Sequence, residues 1–312
     1  MKLHSSFLKC LHISFLLAFS TSIWADKFST EWMKHLSGHR AIHTLSIPGT
    51  HDSGSTQGGK QLKTQTTSIS KQLEQGIRAF DIRLKERNGK LGIYHSHAFQ
   101  EITWEDNVLP SFIQFLKAHP SEMLIVSLKR EGGKAKDYET LLLASLSTTD
   151  YQSYFINYHP DLKVNDCRGK ILFFHRDYAM KKYPGAACLE WEDNSTCLLT
   201  LKSHNGYEGK VLLEDEYQYA SKDEYSKKIQ SCINNIKKVS QNSTCSSQWG
   251  ITFISATGLP TGTPKIFADK VNPAIVDWLE NKKIKNCGIF FIDFVADSAG
   301  RRLVNYLIKS NL

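Results

Sequence analysis

Short apolar runs recur along the chain, and segments of helical period separate most of them. The runs Thr44–Ile47, Ala79–Arg83, Leu91–His95, Met123–Leu128, Lys170–His175, Lys210–Glu214, Ile251–Ser255 and Gly288–Asp293 are strand candidates. Several are apolar at consecutive positions, as in Leu124-Ile-Val126, Ile171-Leu-Phe-Phe174 and Ile289-Phe-Phe-Ile292. Strands covered on both faces read this way. Between them Ile69, Leu73 and Ile77 share a helical face, as do Leu109, Phe112, Ile113 and Leu116. The same spacing joins Tyr225, Ile229, Cys232, Ile233 and Ile236, and Val271, Ile275, Trp278 and Leu279. A last helix carries Leu303, Val304 and Leu307. Eight buried strands alternating with helices predict an α/β fold, a single TIM-like (β/α)8 barrel. Irregular links after Thr44–Ile47 and Ile251–Ser255 predict that it is distorted.

The polar residues ending these runs say more. His51-Asp52 lie just past the first, and Arg83, His95, Lys129, Arg176, Asp215, Ser255 and Asp293 close the others. Strands run into polar loops in any protein. In a barrel, however, the C-terminal strand ends share one rim, where active sites are built. Two histidines, cations and carboxylates converging there suit a phosphodiester. One imidazole accepts a proton from an attacking hydroxyl and the other donates one to the leaving oxygen. A guanidinium stabilises charge growing on phosphoryl oxygens, and a carboxylate beside each histidine fixes its tautomer.

The N-terminus adds a compartment. Lys2 and Lys9, the apolar Ile13–Phe19 and the small residues around Ala25 form a secretory signal pattern over residues 1–25. That leaves residues 26–312 as one secreted domain. Removing the signal lowers the net charge from +8 to +6. A basic surface suits an anionic membrane, and no basic, aromatic-interleaved motif supports nucleic acid. Six of the seven cysteines remain (Cys167, Cys188, Cys197, Cys232, Cys245 and Cys287), an even count that permits disulfides in an exported chain. Loop-bracketing spacing suggests Cys188–Cys197 and Cys232–Cys245. Sequons occur at Asn194-Ser-Thr and Asn242-Ser-Thr.

Ser46-Ile-Pro-Gly-Thr-His-Asp-Ser-Gly54, Phe80-Asp-Ile-Arg83, Ile93-Tyr-His95 and Leu124-Ile-Val-Ser-Leu-Lys129 together resemble the X domain of bacterial phosphatidylinositol-specific phospholipases C. Cys167-Arg-Gly-Lys-Ile-Leu172, Leu213-Glu-Asp-Glu-Tyr217 and Phe291-Ile-Asp293 follow in order, so the resemblance spans nearly all of residues 40–312. It implies cleavage of phosphatidylinositol to diacylglycerol and inositol 1,2-cyclic phosphate. By that resemblance His51 is the general base with Asp293 as its partner, and His95 with Asp52 is the general acid. Arg83 contacts phosphate, while Lys129, Arg176, Asp215 and Tyr217 contact inositol, the tyrosine by stacking. His97, two residues beyond His95, competes for the acid role, and the two could also ligate a metal.

The calcium-dependent relatives neutralise phosphate with a metal held by oxygen ligands. Here Arg83 offers a fixed cation and no hard-oxygen cluster is evident, so no cofactor and no metal are expected. The expected partner is phosphatidylinositol in a membrane, met peripherally by a monomer. By the same resemblance, residues 54–66 and 257–264 correspond to the membrane-facing rim, where Lys60, Lys63 and nearby Lys265 accompany the apolar Leu259. Electrostatic docking and a merely solvated loop both fit that composition. The alternatives are a catalytically inactive inositol-lipid-binding X domain, which would be expected to lack His51 or Arg83, and a metal-dependent glycerophosphodiester phosphodiesterase, which needs several metal-binding carboxylates. Free phosphatidylinositol and glycosylated inositol anchors share the scissile bond and are not separated at this level.

Overall fold

The computed structural model describes residues 29–177, 183–242, 248–258 and 260–312. The expected signal segment 1–25, Cys245 and Leu259 lie outside them. Twelve strands form one sheet: β1 (Ser46–Thr50), β2 (Ala79–Arg87), β3 (Lys90–His95), β4 (Ala98–Thr103), β5 (Leu124–Arg130), β6 (Phe155–Ile156), β7 (Ile171–His175), β8 (Ala186–Leu189), β9 (Thr196–Lys202), β10 (Glu208–Glu214), β11 (Gln248–Phe253) and β12 (Gly288–Ile292). Nine of them close a ring in the order β1-β2-β5-β7-β8-β9-β10-β11-β12 and back to β1. Eight run parallel; β9 alone is antiparallel to its neighbours β8 and β10. The fold is thus a distorted TIM-like barrel.

Closure depends on a bare backbone at Gly49. A Cβ there would stand 2.7 Å from the Phe290 carbonyl oxygen of β12 and 2.8 Å from the Ala79 Cβ of β2. Both distances are shorter than side chains tolerate, so glycine lets β1 sit between its two neighbours. The apolar runs of β5, β7 and β12 are fully buried between the barrel interior and the outer helices. The helix Pro264–Lys282 starts where Thr263 Oγ1 accepts the Ile266 N–H and Pro264 takes the first turn. The links after β1 and β11 are irregular, as expected.

Two expectations about the strands are corrected. Leu91–His95 forms β3, but β3 lies outside the ring, antiparallel to β2 and β4. Only Asn88-Gly89 separates Arg87 from Lys90, and both turn residues have positive φ (51° and 77°). That is the geometry of a tight hairpin, which cannot make a parallel crossover. The vacated place is taken by β8 and β9, neither of which was expected.

The cysteine pairs are also corrected. Cys167, Cys188, Cys197, Cys232 and Cys287 are all free thiols. Strand register keeps the first expected pair apart: Cys188 stands opposite Leu201, and Cys197 opposite Leu213. Cys232 is buried, its Sγ 3.5 Å from the Phe253 carbonyl oxygen; its expected partner is outside the described residues.

Candidate active site

The chain continues the barrel's hydrogen bonding beyond β1, which fixes His51 and Asp52 at the rim. His51 N–H donates to the Ile292 carbonyl (3.2 Å) and Ser53 N–H to the Asp81 carbonyl (2.9 Å). Gln65 Nε2 caps the same corner through the His51 and Ile292 carbonyls. Asp52 sits at φ 39°, in the left-handed region that aspartate enters more readily than most residues. Its N–H is held by Asp81 Oδ2 at 3.1 Å.

Four charged or titratable side chains meet around Asp52. Its Oδ2 is 3.4 Å from His51 Nε2 and 3.4 Å from His95 Nε2. Its Oδ1 is 3.0 Å from Arg83 Nε. Arg83 Nη2 reaches His51 Nε2 at 2.9 Å and Asp81 Oδ2 at 3.1 Å. On the far side of the ring, His51 Nδ1 lies 2.8 Å from Asp293 Oδ1. Arginine only donates, so the Nε2 facing it must carry a lone pair. His51 is then the neutral Nδ1–H tautomer, donating to Asp293. Burial, and after it the Arg83 charge, hold the His51 pKa well below its usual value. Both effects keep a proton-accepting nitrogen available.

His95 has the complementary arrangement. Its Nδ1 is 2.6 Å from the Leu62 carbonyl oxygen, an acceptor only, so Nδ1 carries hydrogen. Nε2 then faces Asp52 Oδ2 at 3.4 Å. Burial raises the Asp52 carboxyl to about 6, against the opposing pull of Arg83 and His95. Asp81 goes the other way: burial alone would raise it, but Arg83 and Arg176 together bring it below the ordinary carboxylate range. His97 is exposed on the turn after β3, outside the cavity, and its near contact is Ser96. It does not join His95 in a donor pair directed at the site.

The cavity above these groups measures about 510 Å³. Lys129, Arg176, Asp215, Tyr217 and Ser255 all line it, alongside His51, Arg83, His95 and Asp293. Arg176 Nη2 meets Asp215 Oδ2 at 3.2 Å, and its guanidinium lies 3.9 Å from the Trp191 ring centroid. Trp191 Nε1 donates to the same Asp215 oxygen at 2.9 Å. Tyr217 hydroxyl is 3.0 Å from Asp193 Oδ1. Lys129 is 3.5 Å from Glu131. Every site residue expected from the sequence therefore reaches this one rim.

Comparison with known proteins places the chain. Residues 43–177 match the family model described as phosphatidylinositol-specific phospholipase C, X domain. Over 304 residues the chain is 29% identical to a 1-phosphatidylinositol phosphodiesterase of Listeria monocytogenes, covering 90% of this chain and 84% of the relative. It is 25% identical over 293 residues to the enzyme of the same name from Staphylococcus aureus, covering 86% and 89%. Residues 43–177 thus carry the X domain of phosphatidylinositol-specific phospholipases C. The solved phosphatidylinositol-specific phospholipase C of Listeria monocytogenes is similar at a TM-score of 0.72 and 26% identity, with 91% of this chain and 99% of that one covered. A doubly substituted Staphylococcus aureus phospholipase C gives a TM-score of 0.78 at 22% identity, covering 90% and 97%, which shows the shared fold.

Three residues around this site escaped sequence reasoning as site residues. Asp81 ties Arg83 to Asp52 and lies 3.8 Å from Arg176. An acid within the buried, apolar start of β2, Ala79-Phe-Asp-Ile82, was the available signal. Trp191 and Asp193 come from the β8–β9 loop, whose flanking strands were not expected, so nothing placed them at the rim.

Proposed function

We propose that this chain cleaves phosphatidylinositol by general acid–base catalysis without a metal, releasing diacylglycerol and inositol 1,2-cyclic phosphate. The observation that carries the reading is the pair of histidines held on either side of Asp52, His51 with its free Nε2 beside Arg83 and His95 with its Nε2 directed at the Asp52 carboxyl. His51 Nε2 takes the proton of the inositol 2-hydroxyl, whose oxygen attacks phosphorus. Arg83 receives the charge growing on the non-bridging phosphoryl oxygens. The bond from phosphorus to the glycerol oxygen breaks, and His95, acting as general acid beside Asp52, gives a proton to that oxygen. Asp293 orients His51 and stabilises the imidazolium it becomes. Lys129, Arg176, Asp215 and Tyr217 hold the inositol.

The donor set supports a metal-free site. Among the described residues, His51, Asp52 and Asp81 bring donor atoms within 4.8 Å of one another. Arg83 nitrogens already stand 2.9–3.1 Å from all three. A cation placed there would meet a fixed, part-buried guanidinium, so the arginine fills the role that a divalent ion has elsewhere.

We also place the reaction at a membrane surface, outside the producing cell. No helix among the described residues is long and apolar enough to cross a membrane. Lys60 is exposed and Lys63 half-buried on or beside the short helix Gly59–Leu62, whose last carbonyl holds His95. Neither has an ion pair among the described residues, whereas Lys265 is paired with Asp269 and Asp297. The cationic contact is therefore assigned to Lys60 and Lys63.

Release of diacylglycerol from phosphatidylinositol vesicles tests the catalytic assignment. His51→Ala and His95→Ala are each expected to lower turnover by roughly 10²–10⁴-fold, the range for losing a general acid or base. Turnover within tenfold of wild type in either variant would remove that histidine from the mechanism.

A further inference from the structure

The chain leaving β10 forms an arm, Asp215–Tyr219, whose Asp215 and Tyr217 line the cavity. Glu214 and Glu216 do not line it. They meet Lys228, which is fully buried on the helix Tyr225–Gln241 outside the barrel. Lys228 Nζ is 2.7 Å and 2.9 Å from the two Glu214 carboxylate oxygens and 2.7 Å from the Glu216 carbonyl oxygen. Three acceptors thus match the three ammonium hydrogens. The β8–β9 loop grips the arm from the other side. Asn194 Oδ1 accepts the N–H groups of Tyr217 and Gln218 at 2.8 Å each, and the Ser195 carbonyl accepts the Asp215 N–H at 2.9 Å.

Attaching a helix to a sheet does not need a buried ammonium. Cys232, Ile236 and Val239 already bury this helix, and replacing a buried ion pair by apolar groups is often neutral for stability. What an apolar residue at 228 could not do is hold the Glu216 carbonyl, in the middle of the arm. Asn194 stands at φ 52°, which turns its carboxamide onto two successive amides.

We propose that Lys228 and Asn194 are positioning residues that clamp this arm, so that Asp215 and Tyr217 meet the polyol headgroup preordered. Neither acts on the reacting atoms. The proposal rests on the headgroup reading above, and it implies an effect on binding in preference to chemistry.

The test compares wild type with Lys228→Met/Glu214→Gln, which removes the charge pair without stranding a carboxylate, and with Asn194→Ala, which leaves the buried pair intact. Amide hydrogen exchange at Tyr217 and Gln218 reads the arm itself. Steady-state kinetics on a short-chain phosphatidylinositol below its micellar concentration, with inhibition by free myo-inositol, reads the headgroup site. The expected result is faster exchange at both amides, with KM and the myo-inositol inhibition constant each raised about tenfold and kcat within about twofold. Faster exchange with both constants unchanged would overturn the proposal, as would unchanged exchange. Should one variant fail to fold, the other decides by the same readouts. If wild type does not cleave phosphatidylinositol at all, the functional reading falls, and exchange together with myo-inositol binding decides the clamp.

Discussion

Replacing Arg83 with lysine keeps the charge and removes the fork. Arg83 uses Nε on Asp52 and Nη2 on both Asp81 and His51, within 2.9–3.1 Å. A single ammonium on a flexible stem can hold one of these positions while facing phosphate, so at least two charge-assisted contacts are lost. At about 1.5 kcal/mol each, the low end for bonds to charged groups, the loss is about 3 kcal/mol, or roughly 10²-fold in kcat/KM. Initial rates of diacylglycerol release over a range of substrate, on protein whose circular dichroism matches wild type, measure it. Removing the charge as well, in Arg83→Met, has a further signature. Burial is the first cause of the low His51 pKa and Arg83 the second, so losing the guanidinium raises the His51 pKa. The acid limb of the kcat/KM profile then moves to higher pH, because the base stays protonated over a wider range. Arg83→Lys activity within about threefold of wild type would refute the reasoning, since it would mean that a point charge suffices.

Stability should fall in acid through His175. Its Nε2–H donates to the Pro184 carbonyl, its Nδ1 is buried with no partner among the described residues, and burial lowers its pKa to about 4. A depressed folded pKa means that the unfolded chain binds the proton more tightly. About 3 kcal/mol should therefore be lost as pH falls from about 6.5 to about 4; urea midpoints across that range should show a steeper decline for wild type than for His175→Gln, and equal slopes would discount His175. Trp191→Ala removes the ring under Arg176 and a donor to Asp215, and should raise KM about tenfold, with kcat little changed. An unchanged KM would separate Trp191 from binding. Because the described cysteines are free thiols, excess dithiothreitol should leave the melting temperature within about 1 °C; a drop of several degrees would indicate a disulfide.

Much of this architecture was legible because burial on both faces leaves a plain mark. The β7 and β12 runs are apolar at consecutive positions and the β5 run is broken only by Ser127, and the polar residue after each marks the rim. Two features hid the rest. Asn88-Gly89 turns β2 directly into β3, so the apolar run Leu91–His95 looked like a barrel strand, although His95 still reaches the site from the hairpin. β8 is only four residues long, and β9 exposes Leu198 while burying Leu199 and Leu201. Neither gives the continuous apolar signal of its neighbours, and with them the β8–β9 loop, Trp191 and Asp193 went unread. The disulfide expectation came from spacing along the chain, whereas pairing depends on register between strands.

Phosphorus NMR of phosphatidylinositol micelles incubated with the protein in excess EDTA tests the central claim most directly. The account predicts a signal from inositol 1,2-cyclic phosphate with wild type and none with His51→Ala. A wild-type protein silent in EDTA and restored by calcium would contradict it, because the phosphate charge would then be met by a metal and not by Arg83.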